Sequence, residues 1–155
     1  MSAKIREITL DNALDLLLEL VMRQVNADAV NLFLLDKRTA QPILYKSLGL
    51  KRISSLSEQR HSWKGLIWRV IQKRDLVSLP NIWTESSSLV RGTSFKQECF
   101  NSYHGIPLMS RGKIIGVLEV FHRQEFSPNS AWFRLFRNLA EQVSQAIDIP
   151  HLAEK

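Results

Sequence analysis

The stretch PLMSRGKIIGVLEVFHR, residues 107–123, contains the pattern that decides the fold. Two apolar runs flank the connection Ser110-Arg111-Gly112-Lys113, and β-favouring runs joined by a short glycine-containing turn are typical of an antiparallel hairpin. In the second run, residues 114–121, successive side chains point to opposite faces, and both faces are largely apolar. A strand that is apolar on both faces is covered on both sides, so this run is predicted to be the central strand of a sheet.

Two residues interrupt the apolar pattern of this strand. Gly116 weakens strand pairing, and a glycine in a strand usually marks a place where another backbone or a ligand comes close. Glu119 has apolar neighbours on its own face and needs a partner if it is buried. We expect that partner to be an arginine at the sheet surface, and the alternative is a ligand donor in a pocket.

Length and composition indicate one ordinary globular domain. A chain of 155 residues buries roughly two-thirds of its unfolded surface without crosslinks. Cys99 is the only cysteine, which excludes an internal disulfide and a site built from several thiolates. No secretory signal is visible, and Asp15 and Glu19 interrupt the most apolar early segment, so we expect a cytoplasmic protein with no membrane span.

The charge of the chain leans basic. The net charge is +6, and ten lysines and arginines lie within residues 37–74. Such an excess is compatible with a phosphate, nucleotide or nucleic-acid footprint. No interleaved aromatic platform or recognition-helix pattern accompanies it, so we interpret the segment as a solvated basic surface and do not expect a nucleic-acid partner.

Apolar spacing and turn signals predict the remaining elements in order. Helices are predicted at residues 11–25, 65–73 and 128–149, and further strands at residues 30–35, 42–48 and 75–79. Thr9 or Asp11 is the predicted cap of the first helix, and Ser127 that of the last. Residues 51–61 are predicted to form a polar loop, and residues 81–97 a long loop of the kind that serves as a lid or binding loop.

The first helix carries more apolar residues than a single buried stripe requires. Ala13, Leu16, Leu20 and Met22 widen its apolar face well beyond half of the circumference. A helix of this kind is buried on two sides, and in a terminal helix the second side fits a partner chain. We therefore expect a homodimer formed through the first and last helices.

The ordered set of motifs resembles a GAF domain, the small-molecule-sensing relative of the PAS fold. The resemblance rests on HGIPL, RGK and IGVLEV at residues 104–108, 111–113 and 115–120, with support from residues 65–67, 77–81 and 139–147. It covers roughly residues 11–147 and implies one domain over residues 1–155. The implied fold is α+β: a central antiparallel sheet of five to six strands with the N- and C-terminal helices on one face and the short helix and long loop on the other.

The resemblance implies a sensory or regulatory domain of a larger signal-transduction protein, with a small ligand between the sheet and the long loop. The resemblance does not identify the ligand or any cofactor. The candidate ligand-binding residues are Trp83, Phe95, Cys99, Tyr103 and Glu119. The aromatic members fit the core of the loop equally well, which leaves a ligand-free dimerisation scaffold as the alternative.

Other branches of the GAF domain family resemble this sequence less well. The cyclic-nucleotide branch has an Asn-Lys…Phe…Asp-Glu signature, of which only Phe95 and Glu98 have counterparts here. Covalent bilin attachment requires a Cys-His pair, whereas Cys99 is followed by Phe100. The enzymatic branch, which reduces free methionine sulfoxide, relies on several cysteines. With no Ser-His-Asp or metal-ligand spacing, we predict neither an enzyme nor a metal site.

Overall fold

The computed structural model describes residues 3–51, 56–84 and 98–147, and side chains within residues 10–51, 65–84 and 98–147. These residues form α1 (Ala3–Gln24), β1 (Ala29–Leu35), β2 (Pro42–Leu48), α2 (Leu56–Lys73), β3 (Val77–Leu79), a 3₁₀ turn (Ile82–Thr84), β4 (Ser102–Ser110), β5 (Lys113–His122) and α3 (Ser130–Ile147). The fold is α+β, as predicted. No helix in the described part of the chain combines the length and apolarity that crossing a bilayer requires.

The strands form one antiparallel sheet in the order β2-β1-β5-β4-β3. β5 lies at the centre, and its residues from Gly116 to His122 are buried. This position confirms the prediction made from its two apolar faces. The β4–β5 hairpin turns through Arg111 and Gly112, whose φ angles of 53° and 76° are the left-handed pair of a tight two-residue turn.

Each face of the sheet is covered by its own apolar core. α1 and α3 cover one face, which we call the helix-pair face, with Leu14 and Phe136 among its fully buried side chains. α2 covers the opposite face, which we call the α2 face, with Leu66 and Val70 packed over Val117. The segregation of the first and last helices to one face is the predicted arrangement.

Gly116 marks a close approach between two backbones. A Cβ atom at this position would lie 2.3 Å from the carbonyl oxygen of Phe33 in β1. The absence of a side chain therefore serves the pairing of β1 with β5.

The starts of the helices differ from the predicted ones. α1 begins at Ala3 rather than Asp11, because no glycine or proline interrupts the earlier residues. Asp11 is therefore inside the helix, and its carboxylate accepts a hydrogen bond from the hydroxyl of Tyr45 instead of capping. α2 begins at Leu56, so residues 56–61 were wrongly predicted as loop; helix-forming Leu, Glu, Gln and Arg compensate for the missing apolar periodicity.

The cap of α3 is Asn129 rather than Ser127. Its side-chain Oδ1 accepts a hydrogen bond from the backbone N–H of Trp132 at 2.9 Å, which is the contact that an N-cap residue makes. The helix consequently begins at Ser130, two residues later than the Ser-Pro pair indicated.

Candidate functional site

A row of polar residues crosses the α2 face at the middle of the sheet. Ser47 of β2 pairs with Asn31 of β1, and Asn31 pairs with Glu119 of β5. Glu119 in turn pairs with Gly105 of β4. Asn31 and Glu119 have no solvent exposure, so the strand register places an amide and a carboxyl side by side within an apolar core.

Two hydrogen bonds hold this row. Ser47 Oγ donates to Asn31 Oδ1 at 2.7 Å, and the hydroxyl of Tyr103 donates to Glu119 Oε2 at 2.5 Å. Gly105 makes room for the second bond, because a Cβ atom there would lie 2.4 Å from the Tyr103 hydroxyl oxygen. We call Ser47, Asn31, Tyr103 and Glu119 the polar cluster.

Two buried atoms of the polar cluster lack hydrogen-bond partners among the described residues. They are Nδ2 of Asn31 and Oε1 of Glu119. The Asn31 amide lowers the pKa of Glu119 as a hydrogen-bond donor does, but no hydrogen bond of normal geometry joins these two atoms. Buried polar atoms are nearly always hydrogen-bonded, so each exception requires an explanation. Because the two residues are direct cross-strand neighbours, the two unsatisfied atoms belong to one small region of the α2 face.

The surroundings of Glu119 favour its neutral form. Burial raises the pKa of Glu119 from 4.5 to about 8, although the Tyr103 hydroxyl and the neighbouring Asn31 amide act in the opposite direction. No lysine or arginine in the described part of the chain counteracts the effect of burial. The expected arginine partner was wrong: the partner is Tyr103, whose own pKa is raised well above 10.0 by burial and by Glu119. At pH 7 the protonated, uncharged form of the cluster therefore predominates.

Aromatic rings surround the polar cluster. Phe121 packs edge-on against Tyr103 with ring centroids 5.3 Å apart, and Phe100 stacks on Phe121 at 4.6 Å. All three side chains are fully buried. The low-polarity surroundings strengthen the hydrogen bonds of the cluster and also raise the cost of its unsatisfied atoms.

The structure brings two of the five predicted site residues, Tyr103 and Glu119, into contact. Trp83 lies in the 3₁₀ turn with 45% of its surface exposed, and its indole N–H donates to the Phe100 carbonyl at 2.9 Å. Cys99 is exposed, in a left-handed backbone conformation with φ of 61°. Phe95 lies outside the described residues.

Sequence reasoning missed Asn31 and Ser47. Asn31 is a polar residue inside the apolar run of β1, as Glu119 is in β5. This interruption was the available signal, but only the register shows that Asn31 and Glu119 meet.

A buried ion pair lies at the end of the sheet where β5 ends. Arg123 Nη2 lies 2.8 Å from Oε1 of Glu98, whose side chain is only 1% exposed. The same guanidinium donates to the carbonyls of Glu98 and Gly49, and the Lys51 amide donates to Glu98. This pair thereby ties the segment after β2 to the segment before β4. Within the described residues, no group of three or more histidine, cysteine, aspartate or glutamate side chains is arranged to hold a metal ion.

Comparison with known proteins identifies the class to which this architecture belongs. A family model of the GAF domain matches residues 7–148, so the chain belongs to the GAF domain family. GAF domains occur in multidomain signalling proteins and are generally sensory or regulatory rather than catalytic. The chain matches no curated protein.

Solved structures agree with this assignment. The GAF domain of a phosphoenolpyruvate-protein phosphotransferase from Acinetobacter is 26% identical and superposes with a TM-score of 0.70, covering 97% of this chain and 96% of that one. The corresponding domain from Coxiella burnetii is 17% identical, with a TM-score of 0.67 and coverages of 91% and 96%. A GAF domain/HD domain protein from Geobacter sulfurreducens is 18% identical, with a TM-score of 0.72 and coverages of 94% and 97%.

Proposed function

We propose that this GAF domain is the sensory part of a cytoplasmic signalling protein and binds a small molecule on the α2 face at the polar cluster. The observation that carries the proposal is the pair of buried, unsatisfied atoms, Asn31 Nδ2 and Glu119 Oε1. Leaving such an atom without a partner costs about 1–3 kcal/mol. A ligand that accepts a hydrogen bond from Asn31 and pairs with the neutral carboxyl of Glu119 would recover that cost at both atoms.

The parent protein is proposed to be a multidomain regulator. Support comes from the Acinetobacter phosphotransferase, whose GAF domain matches nearly the whole chain at 26% identity. In such a protein the domain would report occupancy of its ligand site to the adjoining domains, and its own chain would carry out no chemistry.

Native mass spectrometry of the purified protein, incubated with a defined panel of small polar metabolites, tests the ligand proposal. We expect an additional mass on the wild-type chain that is lost in the Asn31→Ala variant. The control is Glu125→Gln, a change at an exposed carboxylate that should leave the additional mass in place. A wild-type chain that retains no molecule from the panel would shift the assignment to a ligand-free scaffold.

A second candidate function, dimerisation, rests on the surface of α1. Leu16 is 66% exposed, Ala13 is also exposed, and Leu17 and Leu20 are only partly buried. These residues recur at helical spacing and form one stripe. We propose that two copies pair through this stripe and the neighbouring surface of α3.

The mass of the protein in solution tests this pairing. Leu16→Glu should convert the dimer to a monomer because it places a charge in the centre of the stripe. Ile43→Glu changes another exposed apolar residue, 42% accessible and located on β2, and should leave the dimer intact. A monomeric wild-type protein at high concentration would contradict the proposal.

A further inference from the structure

A second cluster, two of whose four side chains are buried and two partly buried, lies on the helix-pair face, on the other side of the sheet from the polar cluster. It consists of His104, His122, Phe126 and Trp132, which we call the histidine–tryptophan cluster. His104 is fully buried and its ring centroid lies 4.8 Å from that of Trp132. His122 is nearly buried and stacks on Phe126 at 4.2 Å.

This cluster joins the ends of three elements at one carbonyl group. The indole N–H of Trp132, in the first turn of α3, donates to the carbonyl of Val25 at 2.9 Å. Val25 directly follows α1, and Nε2 of His122, the last residue of β5, lies 3.4 Å from the same oxygen. The end of α1 and the start of α3 are therefore positioned by these side chains in addition to the apolar core that the two helices share.

The hydrogen bonding of the cluster is incomplete. Nε2 of His104 and Nδ1 of His122 have no partners among the described residues. Burial lowers the pKa of both imidazoles, so both are neutral at physiological pH. Ring contacts, the indole hydrogen bond and two long polar contacts hold the cluster; the long contacts are His122 Nε2 to the Val25 carbonyl at 3.4 Å and Ser102 Oγ to His104 Nδ1 at 3.5 Å. A small shift of either strand therefore breaks few strong polar contacts.

The two clusters are connected through the backbone of the sheet. Tyr103 and His104 are consecutive in β4, so their side chains lie on opposite faces, and the same holds for Phe121 and His122 in β5. Tyr103 pairs directly with Phe121. A displacement of the Tyr103 ring on the α2 face therefore moves the backbone that carries His104 against Trp132.

We propose that the histidine–tryptophan cluster passes the occupancy of the polar cluster to α1 and α3. This inference rests on the proposed ligand site. A ligand bound at Asn31 Nδ2 and Glu119 Oε1 would shift the Glu119 carboxyl and, through its hydrogen bond, the Tyr103 ring and the adjoining His104. The contact between the Trp132 indole and Val25 would then weaken. The first turn of α3 would then move relative to the end of α1, which is the movement that an adjoining domain would detect.

The coupling is measurable without any ligand. Tyr103→Phe removes only the hydroxyl on the α2 face, and the ¹⁵N–H signal of the Trp132 indole reports its bond to Val25 on the other face. We expect this N–H to shift and to exchange with solvent at least about fivefold faster, the factor for losing roughly one net hydrogen bond. Ile43→Ala truncates an exposed side chain on β2 that belongs to neither cluster, and it should leave the Trp132 signal unchanged.

An unchanged Trp132 signal in Tyr103→Phe, or an equal change in Ile43→Ala, would overturn the relay. Should Tyr103→Phe fail to fold, Phe121→Leu provides the same test from β5 and should likewise accelerate exchange at Trp132. The two proposals fail separately. A ligand that binds without altering the Trp132 signal leaves the sensor function intact and removes the relay, whereas the coupling measured in these variants does not depend on finding a ligand.

Discussion

Tyr103 and Glu119 share a 2.5 Å hydrogen bond inside the core, and neither side chain has solvent exposure. The acceptor is a buried carboxyl group without a cation beside it in the described part of the chain, so its protonated form predominates at pH 7. A buried neutral acid is costly to ionise, and this cost makes the stability of the domain depend on pH.

Glu119→Gln is expected to flatten that dependence. The folded-state pKa of Glu119 is raised from 4.5 to about 8, so its contribution to the free energy of unfolding is complete below the unfolded-state pKa and is lost as the pH rises through 8. Glutamine cannot ionise. Between about pH 5 and about pH 9 the free energy of unfolding of the variant should therefore fall by a few kcal/mol less than that of the wild-type protein. Urea unfolding at several pH values measures the slope. Glu125→Gln should retain the wild-type slope, and a wild-type slope in Glu119→Gln would contradict the assignment.

The two buried histidines of the histidine–tryptophan cluster should make the fold less stable in acid. Burial, with the neighbouring His122, lowers the pKa of His104 from 6.5 to about 3, so the unfolded chain takes up protons that the folded chain excludes. This contribution to stability is present above about pH 6.5 and is lost as the pH falls. At His122, the hydrogen bond to Val25 and the charge of Asp28 counteract part of the effect of burial. Ionisation of Glu119 makes stability change with pH in the opposite direction, so the prediction is tested in protein that already carries Glu119→Gln. There, His104→Phe should reduce the loss of stability between about pH 6.5 and about pH 5, and equal slopes would refute the prediction.

The two ion pairs formed by Arg123 and Arg137 should differ greatly in importance. Arg123→Met removes the counter-charge from the buried carboxylate of Glu98 and should cost about 3–5 kcal/mol of unfolding free energy. Arg137→Met breaks a pair with Asp75 in which both side chains are about half exposed, and it should cost less than about 1 kcal/mol. Urea unfolding of both variants measures the difference. Similar losses would show that the pair with Glu98 is not the constraint inferred above.

Gly116 and Gly112 provide a matched pair within one hairpin. Gly116→Ala directs a methyl group at a backbone carbonyl 2.3 Å away, so β1 and β5 must separate, at a cost of about 2–4 kcal/mol. Gly112→Ala meets no atom within 4 Å and costs only the strain of its φ of +76°, about 1 kcal/mol. Denaturation midpoints check the order of the two costs. A larger loss at Gly112 would place the critical constraint in the turn.

Much of the fold could be predicted from residues that are close in the chain. The hairpin at residues 107–123 is encoded by two apolar runs and a glycine turn, and the central position of β5 by its two apolar faces. Helix starts were less predictable, because Asn129 competes with Ser127 as a cap and residues 56–60 form a helix without an apolar stripe. These outcomes depend on small differences in local free energy that the apolar pattern does not express.

The sequence by itself determined the α+β class, the central strand, the GAF resemblance and the presence of a carboxyl group in an apolar strand. Only the tertiary structure decided that Glu119 meets Asn31 and Tyr103 rather than an arginine, and that His104 and His122 pack against Trp132 and the end of α1. The reason is physical: periodicity and turn chemistry act between neighbours in the chain, whereas strand register brings together side chains that are up to about ninety residues apart.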